Sequence, residues 1–143
     1  MIQGRLFTNQ LQVRRYPQTP LDNILERLGA EDVPGKSHVE NYMRHKWRMN
    51  HKGRSLESSF TSLMLFLRLY RASDKAVEEV ERSDIEAFLE HEQDRGMNIS
   101  TVRLRLASLI AFLHYLMEQD VLPASLLKKP IKLKLPETLP RGV

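Results

Sequence analysis

Cysteine is absent from the chain. That excludes disulfides, thiolate metal sites and a cysteine nucleophile, and it fits a reducing cytoplasm, the expected location. A secretion signal is missing too, because the opening "MIQGRLFTNQLQ" has no apolar core. No uninterrupted apolar run reaches the ~18 residues of a membrane span, and "LMLFLRLY" is broken by Arg68. No glycine-rich phosphate loop is present, and the five histidines form neither His-Glu-x-x-His nor any regular ligand spacing. The pair in "HVENYMRH" and the acids of "EHEQD" fit solvated helix faces better than a metal or carboxylate site. No metal, cofactor or small-molecule substrate is therefore expected. Strand signals are confined to the alternation in "IKLKL".

What the 143 residues do have is charge sorted into blocks. The net charge of +4 is modest, but from Lys36 to Arg54 six Lys/Arg face Glu40 alone. From Asp74 to Arg95 nine acids face Lys75, Arg82 and Arg95, and from Ser100 onward seven bases face three acids. Alternating basic and acidic blocks can fold into a molecule with one positive and one negative side, the footprint of a polyanion binder.

Helical periodicity accounts for most of the chain. "PLDNILERLG" predicts a short helix over 21–28, within an N-terminal extension assigned to residues 1–36. From Ser37 four helices follow. The first opens on a Ser37/Glu40 capping box and runs to about Asn50, and the second runs from about Leu56 to Arg71. The third opens on Ser83/Glu86 and ends at Gly96, and the fourth is capped by Ser100 and reaches about Gln119. Pro123 opens a short fifth helix through Leu127, and residues 129–143 read as a proline-rich linker or tail. The fold class is all-α, with residues 37–128 as the domain.

The fourth helix poses an electrostatic question. Val102, Leu106, Leu109, Leu113 and Leu116 repeat at 4, 3, 4, 3 and form a packing seam. Thr101, Arg105 and Ser108 lie on one flank and Arg103 on the other, so both arginines fall at the helix N-terminus. Unpaired N–H groups already make that end positive, and cations there cost a few tenths of a kcal/mol. Either an acidic neighbour, such as the 74–95 block, neutralises them, or an external anion docks there.

The second helix is built alike, with a seam of Leu56, Phe60, Leu63, Leu67 and Tyr70. Arg54, Ser58, Ser59, Thr61 and Ser62 crowd its first half, while its second half is apolar on every side. Short hydroxyls there either offer donors to phosphates and base edges or merely tolerate close helix packing. Before it, "MRHKWRMNHKGR" interleaves Arg44, Lys46 and Arg48 with Trp47, a segment suited to phosphate contact. Trp47 is read as packing on the bundle rather than stacking on a base.

"ISTVRLRLASLIAFLHYLMEQDVLPASLLKKPIKLKLPETLP" resembles the N-terminal core-binding (SAM-like) domain of the tyrosine recombinase or phage integrase family. Ser100, Thr101, Arg105, Leu106, Leu109, Phe112, Tyr115 and Leu116 fall in step with that family's fourth helix. "VERSDIEAFLEHEQDRG" is similar to the helix before it, and the resemblance spans about residues 37–143. Ile110 departs from a frequently basic position, and Leu122-Pro123 replaces a usual Asn-Pro.

The resemblance implies an orthogonal bundle of four to five helices forming half of a clamp on double-stranded DNA. The N-terminal halves of the second and fourth helices would face the major groove. Other recombinase protomers would be partners within a full-length protein. The family's catalytic domain uses an Arg, a His-x-x-Arg and a tyrosine nucleophile. "HKWR" (45–48) spells His-x-x-Arg but precedes the binding helices, and no tyrosine follows Tyr115. The chain is therefore expected to bind DNA for integration and recombination without being an enzyme itself. Arg54, Ser58, Ser59, Ser62, Thr101, Arg103, Arg105 and Ser108 are the candidate groove-side contacts. Arg44, Lys46, Arg48, Lys128, Lys129 and Lys132 are the candidate phosphate contacts. A helical protein–protein adaptor and a one-domain transcription regulator are the alternative readings.

Overall fold

The computed structural model describes residues 18–131 and residue 133. Among these, five α-helices and short 3₁₀ turns make up the regular structure: α1 (Pro20–Gly29), α2 (Lys36–Arg48), α3 (Gly53–Tyr70), α4 (Arg82–Asp94) and α5 (Ile99–Glu118), with a 3₁₀ turn at Ala124–Leu127. The expected fifth helix is that turn.

The helices start where backbone donors find acceptors, one to three residues before the expected positions. Thr19 and Asp22 cap α1 reciprocally, at 3.0 and 3.1 Å. At α4 the Asp84 carboxylate accepts from the Glu81 N–H (2.7 Å), so Ser83 and Glu86 do not form the cap. The Asn98 side chain accepts from the Thr101 N–H (2.9 Å) and caps α5 in place of Ser100. α2 begins at Gly35, in the left-handed region (φ 76°), and the Ser37/Glu40 box does not form. There a Cβ would meet Val77 Cβ at 3.0 Å, so glycine serves both the turn and the close approach. Ends follow the same accounting: past Gly96 (φ 83°) the Met97 N–H reaches back to Glu92 O, and past Asp120 (φ 60°) Val121 reaches Leu116.

α3 and α5 make the most extensive pairing and carry the centre of the core. The α3 seam is buried throughout, with Leu56, Leu63 and Leu67 sealed completely. The α5 seam is buried apart from half-exposed Leu106, and Phe66, Phe88 and Phe112 fill the space between helices. Each such side chain contributes about 1.5–3 kcal/mol. By length and composition α5 could cross a membrane (mean hydropathy 1.3), but its apolar seam is spent on this core.

The N-terminal helix belongs to the same cluster. Leu21, Ile24, Leu28 and Val33 are buried with the rest of the core. Pro20 lies against Gly53, where a Cβ would meet Pro20 Cγ at 3.1 Å. Arg27–Glu57, Arg68–Glu31 and Arg71–Asp32 ion pairs tie α1 and the loop after it to α3 and its C-cap residue. A boundary at residue 36 would cut through this packing.

Candidate nucleic-acid interface

The α2–α3 corner gathers cations and no carboxylate. α2 ends at Arg48, Asn50 turns the chain with φ 68°, and α3 begins after Lys52. Lys52 offers no side-chain cap, and the first turn of α3 holds no acid. The N–H groups at that end thus keep their partial positive charge, amid exposed Arg48, Lys52 and Arg54. His51 reports the crowding: its pKa lies below the ordinary value, through burial first and then through repulsion from Lys46 and His45.

Pairing separates the arginines. Among the described residues Arg27, Arg44, Arg68, Arg71, Arg82, Arg95 and Arg105 each have a carboxylate within 4.0 Å. Arg48, Arg54 and Arg103 form no such ion pair, nor do Lys128 and Lys129, and all five are exposed.

Arg105 settles the question raised by its helix. Its guanidinium donates to Glu92 on α4, a residue sealed from solvent, and Arg95 donates to the other oxygen of that carboxylate at 2.7 Å. The Arg105 side chain is only 15% exposed. The acidic neighbour, not an external anion, therefore occupies Arg105, which offsets its position at the positive helix end. Arg103, two residues earlier, stays exposed with no ion pair.

The structure redistributes the other candidates. Thr61 is exposed, while Ser58, Thr101 and Ser108 are half-buried. Ser59 and Ser62 are 7% and 2% exposed, inside the bundle, so they have almost no surface for a duplex. These two hydroxyls accompany tight packing, the other reading open for that helix face. Lys46 is 8% exposed, with its ammonium 5.5 Å above the Tyr42 ring, and burial pulls its pKa down. Its charge adds to the local field, but little of it is free for a phosphate. Tyr42 in turn packs on Phe112 and Tyr115, and burial pushes its phenol up to about 12. Arg44 is exposed but held by Glu40 at 2.9 Å. Trp47 is 37% exposed, so most of its surface is covered while part of the ring stays open to solvent. Lys132 lies outside the described residues.

Sequence reasoning missed two contributors. Lys52 sits in the unpaired corner, signalled by "NHKGR". Glu92 was assigned to an exposed face, yet Ile85, Phe88, Leu89 and Glu92 continue one seam.

A family model described as the phage integrase N-terminal SAM-like domain matches residues 39–120. That is more than half of the chain, and the chain belongs to this family, with the all-helical SAM-like fold seen here. Its place is in integrase and recombinase function. No curated protein and no solved structure matches it.

Proposed function

We propose that this domain grips double-stranded DNA for a site-specific tyrosine recombinase or integrase. The α2–α3 corner and the start of α5 would lie against the duplex. The observation that supports this reading is the set of unpaired cations: Arg48, Lys52, Arg54 and Arg103 stay free while every other described arginine has a carboxylate partner. Exposed cations without counter-charge repel one another and are relieved by phosphates, whose bound counterions are released. Thr61, Ser58, Thr101 and Ser108 supply short hydroxyls beside them. Catalysis would come from elsewhere in a recombinase, and other protomers would join on the DNA.

Duplex binding measured by fluorescence anisotropy between 50 and 200 mM salt tests the reading. Affinity should fall steeply over that range, by about 10³ or more where six or more phosphates are contacted. Arg48→Ala, Arg54→Ala and Arg103→Ala should each lower the salt slope by about 0.9. A chain that ignores duplex at 50 mM salt would refute it. An adaptor gripping an apolar partner would show a salt-insensitive affinity instead.

A further inference from the structure

Arg82 stands in the first turn of α4, where a cation opposes the helix dipole. Its guanidinium is spent on a distant part of the chain. One terminal nitrogen donates to the carbonyl of Lys129 (2.7 Å) and the other to that of Pro130 (2.8 Å). Glu86 lies 3.4 Å from Nε and supplies a counter-charge on that side. A planar fork can hold two successive carbonyls at once, which a lysine ammonium on its flexible stem matches poorly.

The segment so held has little other backbone support. Lys128 N–H bonds to Ser125 O within the 3₁₀ turn, and Pro130 has no N–H to give. Beside it an open groove of about 420 Å³ is lined by Val80, Pro123, Ser125 and Leu126. Past the fork, Ile131 and Leu133 rest partly buried on the core.

We infer that Arg82 is a positioning residue, a latch that fixes the path of the chain as it leaves the bundle. Lys128 and Lys129, both exposed and without ion pairs, thereby stand as placed charges rather than as charges on a free tail. The use of those lysines on phosphates rests on the DNA reading above; the latch does not.

Arg82→Gln and Arg82→Lys test the latch in the full chain, with circular dichroism to follow the fold. Trypsin cleavage of the Lys128–Lys129 bond and exchange of the Lys128 amide, which donates to Ser125 O, are the readouts; the next bond is protected by Pro130. Both variants should speed cleavage and local exchange by about an order of magnitude and leave α3 and α5 unchanged. Arg82→Lys keeps the charge, so its failure to hold the segment separates the fork from simple electrostatics. Unchanged cleavage and exchange in both variants would overturn the latch, and so would faster exchange spread evenly over all helices.

A duplex titration then tests its use. Arg82→Lys should weaken binding by about threefold and lose that effect in a Lys128→Ala/Lys129→Ala background. A loss that persists in that background would overturn the role assigned to the two lysines. A wild-type chain that ignores duplex would sink the DNA reading, while the proteolysis still decides the latch.

Discussion

Glu92 is the residue on which two arginines depend. Removing one member of a buried ion pair strands its partner, at about 3–5 kcal/mol. Glu92→Ala should therefore lower stability by about 3 kcal/mol in urea denaturation. Arg105→Ala should also destabilise, by about 1–3 kcal/mol, yet leave the salt slope of duplex binding unchanged. Arg103→Ala should do the opposite, with stability within about 0.5 kcal/mol of the parent and a shallower slope. The wheel placed these two arginines on opposite flanks, which the structure bears out. Their partners were not legible, because nothing local says which carboxylate lies across the next turn. The seam running through Ile85, Phe88 and Leu89 to Glu92 was the available clue.

Acid sensitivity also arises residue by residue. Glu31 is held below its usual value of 4.5 chiefly by the hydrogen bond from Arg68, and Glu78 chiefly by that from His38. A carboxyl with a lowered folded-state pKa adds stability above its unfolded value and loses it as pH falls through the folded one. The melting temperature should drop between about pH 5 and about pH 3, and a Glu31→Gln/Glu78→Gln double variant should show a smaller drop. In each pair one partner stays about half open to solvent, so the effect is modest.

At the scale of the element, helix existence and core seams were legible, whereas helix starts were not. Leu56, Phe60, Leu63, Leu67 and Tyr70 were readable because one spacing fits one buried stripe, and all five are buried. Capping is settled by single hydrogen bonds among several eligible side chains: Asp84 takes the Glu81 N–H, while Ser83 sits two residues past the cap position. The start of α2 needed a tertiary fact, the approach of Val77 to Gly35. Gly35→Ala should accordingly cost more than the ~1 kcal/mol of a left-handed alanine alone, read as a lowered melting temperature with no change in duplex affinity.

For the whole molecule, alternating charge blocks predicted a divided surface, and the ion pairs show which cations keep a free charge. Glu81, Asp84, Glu86 and Glu92 of the 74–95 block pair with Lys75, Arg82, Arg95 and Arg105, and Glu31 and Asp32, after α1, pair with Arg68 and Arg71, which leaves Arg48, Arg54 and Arg103 without an acid. Sequence counting could not foresee that partition, since it depends on which helices touch. The depressed pKa of His51 adds a whole-molecule test. Phosphates beside it would reverse the repulsion, so duplex binding near about pH 6 should take up protons. Calorimetry in buffers of different ionisation enthalpy would measure the uptake, and His51→Gln should abolish it.

The chain holds a single tryptophan, and Trp47 stands partly exposed between Lys46 and Arg48. The protein thus carries a built-in optical reporter within its proposed contact. Its intrinsic emission should shift or quench as duplex is titrated in and recover when salt displaces the nucleic acid, with no label attached.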